Sequence, residues 1–243
     1  MNDSELAAQL AEDAGRILME VRAGGKHHGK DLGRAGDAEA NAVLVKALRE
    51  LRPHDGLLSE EEKDSAARLT RRRVWIVDPL DGTREYAEGR EDWAVHVAMA
   101  LDGRASLGAV ALPALGLTLR SDRPIAPAER PARPRMIVSR TRPAAEALAV
   151  AEALGADIVT MGSAGAKAMA VVRGQADIYL HSGGQHQWDN CAPVAVASAH
   201  GLHCSRLDGS PLVYNGAETS MPDLLICAAQ WARPTLDAIR RSA

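Results

Sequence analysis

The chain contains no phenylalanine, and aromatic residues make up only 3% of its 243 residues, so its core must be built from Ala, Val, Leu and Ile. No apolar run approaches the roughly 20 residues that a membrane-spanning helix needs. The N-terminus has neither the basic start nor the apolar stretch of a signal peptide. The cysteines, Cys191, Cys204 and Cys227, are odd in number and far apart, which is typical of reduced thiols. We therefore expect a cytoplasmic protein without a membrane partner.

Neither sign of charge is in excess, because 29 Lys and Arg residues face 32 Asp and Glu residues, for a formal net charge of −3. This balance argues against a nucleic-acid polymer or an anionic membrane as the main partner. A small anion bound in one local pocket remains compatible with it. The length fits one large domain or two tightly joined halves.

Apolar residues recur at helical spacing over residues 4–22 and 37–51, which predicts two amphipathic helices. Strands are predicted at 56–59, 74–77, 93–101 and 106–112, with a turn at Asp102-Gly103. We expect the second of these strands to be halted by Asp78-Pro79, because proline cannot continue a ladder of backbone hydrogen bonds.

A stretch rich in proline and charge, residues 121–134, is the best internal boundary. Beyond it the prediction is strand 135–139, helix 143–154, strand 157–161, helix 164–173, strand 177–180 and helix 190–200. Such alternation favours an α/β half behind an α+β half. We expect residues 1–130 to form an N-terminal α+β subdomain with most of the metal ligands. Residues 131–243 would form a C-terminal subdomain that completes the metal site and binds substrate.

Acidic residues gather where predicted elements begin or end. The groups are Ser59-Glu60-Glu61-Glu62, then Asp78-Pro79-Leu80-Asp81-Gly82-Thr83, then Trp188-Asp189 at the start of a helix. A turn in the second group would let its two aspartates point the same way, and its backbone N–H groups suit an anion. Mg²⁺ would reconcile carboxylates with a phosphate, because it bridges hard oxygen ligands. Two such ions can activate water and stabilise a leaving oxygen.

Each feature also has an ordinary explanation when taken alone. A run such as Glu60 to Glu62 is usually a solvated charged surface. An Asp-Gly pair after a strand is mostly a turn, and an aspartate at a helix start, such as Asp189, is more often an N-cap than a metal ligand. The combination and order of the three groups carry the functional prediction.

Together these segments resemble the inositol monophosphatase superfamily of metal-dependent, lithium-sensitive phosphatases. The resemblance is carried by Ser59-Glu60-Glu61, Trp75-Ile76-Val77-Asp78-Pro79-Leu80-Asp81-Gly82-Thr83 and Trp188-Asp189, with support from Gly36-Asp37, Gly162-Ser163 and Gly174-Gln175-Ala176-Asp177-Ile178-Tyr179. It implies an α+β or α/β fold, a layered α-β-α-β-α sandwich of the sugar-phosphatase type. The site would lie between two subdomains.

The resemblance also implies roles for individual residues. Glu60, Asp78 and the Leu80 carbonyl would hold a first Mg²⁺, and Asp78, Asp81 and Asp189 a second, with Glu60 serving a weaker third. Thr83 and Asp37 would activate the water. The family usually has Val-Thr-x-x-Asp before this last aspartate, whereas the chain reads Arg34-Ala35-Gly36-Asp37 and lacks the threonine.

Within the superfamily the chain looks most like the 3′(2′),5′-bisphosphate nucleotidases of sulfur assimilation. This implies hydrolysis of the 3′-phosphate of adenosine 3′,5′-bisphosphate, and of 3′-phosphoadenylyl sulfate. A second phosphate needs a second cationic or donor site, and the implied substrate-binding residues are Gly82, Thr83, Ser163, Lys167 and His181. The spacing from Ser163 to Lys167 is one residue longer than usual, and His181 stands near the place of a common arginine.

Several alternatives stay open. Inositol 1-phosphate and fructose 1,6-bisphosphate are alternative substrates, and a non-catalytic module that binds a phosphorylated metabolite is the alternative from another class. Lys167 is as readily explained as a solvated helix charge, and His181 as a surface histidine. A homodimer is compatible with the sequence. The segment Gly24-Gly25-Lys26-His27-His28-Gly29-Lys30 is not a phosphate-binding P-loop, because Asp31 follows it and a helix precedes it.

Overall fold

The computed structural model describes residues 1–242. Its first half contains α1 (Asp3–Ala23), α2 (Gly29–Leu51), β1 (Gly56–Ser59), β2 (Arg73–Asp81), α3 (Thr83–Ala87), β3 (Ala94–Leu101), β4 (Arg104–Leu112) and β5 (Leu117–Arg120). Its second half contains β6 (Arg135–Ser139), α4 (Ala145–Leu154), β7 (Asp157–Met161), α5 (Ala164–Val172), β8 (Ile178–His186), α6 (Gln187–Ala199), β9 (His203–Ser205), β10 (Ser220–Cys227) and α7 (Ala229–Ser242). No helix within residues 1–242 has both the length and the apolar character needed to cross a bilayer.

The strands form two five-stranded mixed sheets, in the orders β1-β2-β3-β4-β5 and β7-β6-β8-β10-β9. Helices α1 and α2 cover the outer face of the first sheet, and α4 and α7 pack together beside the second. Helices α5 and α6 lie between the sheets, where residues such as Ile76, Val171 and Ile226 belong to one shared core. This is the α-β-α-β-α layering that the resemblance implied.

The two N-terminal helices bury one face each, as their spacing predicts. Helix α1 closely follows the predicted bounds, and Leu6, Leu10 and Leu18 are buried. Helix α2 begins at Gly29, eight residues before the predicted start at 37, so that prediction was wrong. Its buried face continues upstream through Leu32 and small residues, which a search for large apolar side chains does not detect. Asp37 therefore lies inside a helix.

The strand before the acidic group also differs from the prediction. It does not end at Asp78-Pro79 but continues to Asp81, and its pairing with β3 shifts by one residue between Asp78 and Asp81. Such a bulge tolerates Pro79, whose missing N–H is not needed there. Residues three apart on a regular strand face opposite sides. The extra residue therefore brings both aspartates to one side of the sheet.

In the second half, the predicted alternation of strands and helices is confirmed from β6 to α6. Strand β8 runs to His186, six residues beyond the predicted end at 180, and delivers the chain directly into α6. The elements β9, β10 and α7 were not predicted. The proline-rich stretch before β6 is anchored by Arg130, which donates to the carbonyls of Ala176 and Val171.

Candidate active site

Three carboxylates meet between the two sheets. Asp78 and Asp81 come from the bulged end of β2, and Asp189 from the first turn of α6, where it also accepts a hydrogen bond from the His186 N–H. One carboxylate oxygen from each of these three residues lies within 4.8 Å of the corresponding oxygens of the other two. Asp189 thus has the capping role that its position alone suggests and still contributes to the acidic cluster.

Without a cation, the carboxylates of the cluster can lie this close together only if some of them are protonated. Burial, and then the charges of Glu60 and Asp81, raise the pKa of Asp78 well above its usual range. Burial, followed by the charge of Asp81, raises the pKa of Asp189 to about 7. Ionised carboxylates this close and this buried need a positive charge between them. The donor set consists of hard oxygens, so it fits Mg²⁺.

Asp81 is stabilised differently from its neighbours. Burial would raise its pKa, but contacts with His96 and Ser163 outweigh burial and lower it to about 2. Its carboxylate accepts the Ser163 hydroxyl and, at the start of α5, the N–H groups of Ala164 at 3.1 Å and Gly165 at 2.6 Å. A helix N-terminus favours a negative charge. Asp81 is therefore held ionised and in a fixed orientation.

Glu60 and Leu80 complete the predicted ligand set. The side chain of Glu60 is the most open of the set, and burial together with the charge of Asp81 raises its pKa. The Leu80 N–H donates to Asp78 at 3.0 Å, and its carbonyl accepts the Thr83 hydroxyl at 3.2 Å. Both residues lie beside the carboxylate cluster, and their role as ligands stays a prediction.

The predicted water-activating pair also lies here. Asp37 is buried, and its Oδ1 has no hydrogen-bond partner within the described part of the chain. Burial, and then the charges of Glu61 and Glu60, raise the pKa of Asp37 to about 8. One turn upstream, α2 touches Thr83 so closely that a Cβ at Gly33 would lie 2.6 Å from the Thr83 methyl group. A buried oxygen without a partner can accept a hydrogen bond from water.

A cavity of about 290 Å³ opens at this site and is lined by both acidic and basic side chains. Asp81 and Asp189 line one part of it. All the predicted substrate-binding residues also line it: Gly82, Thr83, Ser163, Lys167 and His181. Arg142, in the loop after β6, lines it as well and is exposed. Arg142 could not be singled out from the sequence, because an isolated arginine in a polar loop is typical of any surface.

Lys167 does not occupy a solvated helix face, so that alternative was wrong. Its side chain is buried, and its Nζ donates to the Ser163 carbonyl and to the Gly162 carbonyl at 3.3 Å. The ammonium also lies 5.4 Å from the centre of the Tyr179 ring. Burial lowers the pKa of Lys167. This lysine therefore holds the loop that presents Ser163 to Asp81.

His181 is half-buried at the edge of the cavity, and its Nε2 donates to the Gly183 carbonyl at 2.7 Å. Burial lowers the pKa of His181, so the ring is neutral at physiological pH. A second histidine, His96, lies against Asp81 and was not singled out from the sequence, because it is hidden in the apolar strand β3.

Comparisons with known proteins agree with the family that the sequence motifs resemble. The model of the inositol monophosphatase family matches residues 3–238. The 3′-phosphoadenosine 5′-phosphate phosphatase of Mycobacterium bovis is 50% identical, over 93% of this chain and 89% of that protein. The 3′(2′),5′-bisphosphate nucleotidase CysQ of Escherichia coli O157:H7 is 32% identical, over 87% of this chain and 93% of that protein. The crystal structure of CysQ from Bacteroides thetaiotaomicron superimposes with a TM-score of 0.80 at 22% identity, covering 93% of this chain and 97% of that one.

Proposed function

The chain belongs to the inositol monophosphatase family, and on this premise we propose that it is a phosphatase that removes the 3′-phosphate of adenosine 3′,5′-bisphosphate. The observation that carries the proposal is a single cavity lined both by carboxylates of the acidic cluster and by the exposed guanidinium of Arg142. The relatives whose names specify this activity are similar over most of the chain.

A substrate with two phosphates matches the two kinds of charged side chain that line the cavity. One phosphate would lie at the carboxylates, bridged to them by cations, and the other would face the exposed guanidinium of Arg142. Inositol 1-phosphate has no second phosphate that could contact Arg142. Fructose 1,6-bisphosphate has one, so it remains the alternative substrate that the cavity permits.

The metal ions are part of the proposal, with Mg²⁺ as the ion and two or three as the number. Glu60, Asp78, the Leu80 carbonyl, Asp81 and Asp189 would hold them. When bound, Mg²⁺ lowers the pKa of coordinated water and neutralises charge on the phosphate. Asp81 is already oriented for this role by the start of α5.

Residues of the chain would accept the proton of the attacking water and bind the phosphate oxygens. Thr83 and Asp37 would hold the attacking water, and the partnerless Oδ1 of Asp37 would accept its proton. The N–H groups of Gly82 and Thr83, at the start of α3, would donate to the phosphate oxygens. Attack of the water oxygen on phosphorus breaks the bond to the 3′-oxygen, which takes up a proton from solvent water and leaves as the 3′-hydroxyl of AMP.

The finer assignments follow from the same premise. We propose that 3′-phosphoadenylyl sulfate is a second substrate and that the protein acts in sulfur assimilation in the cytoplasm. The free thiols of Cys191, Cys204 and Cys227 agree with that compartment. Inhibition by Li⁺, which is similar in size to Mg²⁺ but carries half its charge, is also proposed. The subdomain division at residue 130 remains a prediction, as does a homodimer.

The test is a comparison of kcat/KM for adenosine 3′,5′-bisphosphate, inositol 1-phosphate and fructose 1,6-bisphosphate in Mg²⁺. The proposal expects the first value to be the highest. A preference for either of the others would move the protein to that alternative. Tight binding of the bisphosphate without release of phosphate would instead indicate a non-catalytic binding module.

A further inference from the structure

His96 is a fully buried imidazole on β3 whose contact with Asp81 has been described but which has no place among the predicted site residues. The residues that share its face of the strand, Ala94 and Ala98, are small and apolar and belong to the core between the sheets. A histidine in such a position requires polar partners, because burying a polar group without them is costly. Its partners are therefore informative.

The imidazole touches both halves of the carboxylate site. Its Nδ1 lies 2.9 Å from the carbonyl oxygen of Trp188, the residue before Asp189. Its Nε2 lies 3.2 Å from Oδ2 of Asp81, a close approach whose angle departs from that of a hydrogen bond. Because a carbonyl can only accept, Nδ1 is the donor to Trp188, and Nε2 must also carry a hydrogen for its approach to the Asp81 carboxylate to be attractive. The ring thus spans from the end of β2 to the first turn of α6.

The space that the ring occupies depends on a glycine. A Cβ at Gly165 would lie 2.0 Å from the Nε2 of His96, so any larger residue would displace the ring. The N–H of Gly165 donates to the same oxygen of Asp81 that His96 approaches. The imidazole is therefore confined between β3 and the backbone of α5.

We propose that His96 is a positioning residue that fixes Asp81 relative to Asp189 by bridging the Asp81 carboxylate to the Trp188 carbonyl. These two aspartates come from different halves of the chain. Asp81 is tied to α5 by three hydrogen bonds, whereas His96 ties it to α6, the helix that carries Asp189. The inference rests on the proposed function, because it assumes that Asp81 and Asp189 hold the same Mg²⁺ ion and that this ion takes part in phosphate hydrolysis. It predicts that replacing His96 weakens Mg²⁺ binding.

Three substitutions separate the two contacts. In His96→Asn the amide reaches the position of Nδ1 and keeps the donor to Trp188. In His96→Gln the amide reaches the position of Nε2 and keeps the contact with Asp81. His96→Leu has a similar volume and removes both. The matched control is Val97→Ala, on the same strand but buried on its other face, away from the carboxylates.

The readout is Mg²⁺ binding by titration calorimetry at neutral pH, with circular dichroism to establish that each variant is folded. His96→Leu should bind Mg²⁺ about tenfold to a hundredfold more weakly than the wild type, as is typical when a ligand loses its supporting contact. His96→Asn and His96→Gln should each be weakened, by no more than His96→Leu. Val97→Ala should lose stability and retain Mg²⁺ affinity.

Wild-type Mg²⁺ affinity in folded His96→Leu would overturn the proposal, and so would an equal loss in Val97→Ala. Full affinity in His96→Asn or His96→Gln would reduce the role to one contact and overturn the bridge. If His96→Leu does not fold, the two amide variants decide the question. Failure of the wild type to hydrolyse the bisphosphate would contradict the proposed function and leave these binding comparisons valid.

Discussion

Ser163 donates its hydroxyl to Asp81 from a backbone conformation with a φ of +51°, which residues other than glycine rarely adopt. Such strain costs about 1–3 kcal/mol and persists only where surrounding contacts enforce it. Here the Asp92 carboxylate holds the preceding Gly162 N–H at 2.6 Å, and Lys167 holds the Ser163 carbonyl. The strained position aims the hydroxyl at Asp81, a predicted metal ligand.

Ser163→Gly should separate stability from activity. Glycine relieves the backbone strain and costs only a few tenths of a kcal/mol as an N-cap, so thermal unfolding should be unchanged or shifted upwards. The donor to Asp81 is lost, and kcat should fall by about tenfold or more. Ser163→Ala keeps the strain and loses the same donor, so it should be less stable and equally impaired. Full activity of Ser163→Gly would exclude a role for the hydroxyl.

Asp81→Asn should lower kcat by roughly a hundredfold or more, because it removes a predicted metal ligand. Its amide nitrogen would also face N–H donors of α5 that the carboxylate now satisfies. The control is Asp102→Asn, which removes a charge from an exposed pair with Arg72 and should leave kcat unchanged. A near-normal rate and Mg²⁺ affinity in Asp81→Asn would remove this residue from the site.

The motifs were predictable because each acidic group is local in sequence and lies at the end of an element. The layering was predictable from the family that these motifs resemble. The bulge between Asp78 and Asp81 was not, because it depends on how β2 pairs with β3. A proline in a strand predicts an interruption, but whether the chain turns away or bulges is decided by its neighbour.

The burial of Lys167 and the importance of His96 were also beyond sequence reasoning. Which face of α5 is covered depends on the packing of both sheets around it. A lone histidine in an apolar strand is ordinary until the fold brings Asp81 and Trp188 to its two nitrogens. Such tertiary contacts leave no periodic signal in one sequence.

Arg142→Ala should reduce kcat/KM for adenosine 3′,5′-bisphosphate and spare inositol 1-phosphate. A charge-assisted contact is worth about 1.5–3 kcal/mol, which corresponds to about tenfold to a hundredfold. Arg123→Ala, an exposed arginine outside the cavity, is the matched control. Lys167→Ala should lower the rate on both substrates, because its ammonium holds the Ser163 loop. Equal losses on both substrates in Arg142→Ala would contradict its assignment to the second phosphate.

The stability of the metal-free protein should fall as pH rises from about 5 to about 8. The pKa values of Asp189 and Asp37, about 7 and about 8, lie above the ordinary 3.8. The folded state therefore binds more protons than the unfolded state across this range, and the free energy of unfolding decreases with pH. Mg²⁺ requires deprotonated ligands, so its stabilising effect should grow with pH. Thermal unfolding at several pH values, in EDTA and in Mg²⁺, measures the stability of the metal-free protein and the stabilisation by Mg²⁺. A Mg²⁺ effect independent of pH would contradict this prediction.

The central claim is that this site removes the 3′-phosphate of a bisphosphate nucleotide with the help of Mg²⁺. The most direct measurement follows adenosine 3′,5′-bisphosphate by ³¹P NMR in the presence of the protein and Mg²⁺, with a parallel sample in EDTA. We predict that the 3′-phosphate signal is replaced by inorganic phosphate while the 5′-phosphate signal of AMP remains, and that EDTA prevents the change. Loss of the 5′-phosphate signal, or undiminished hydrolysis in EDTA, would contradict the account.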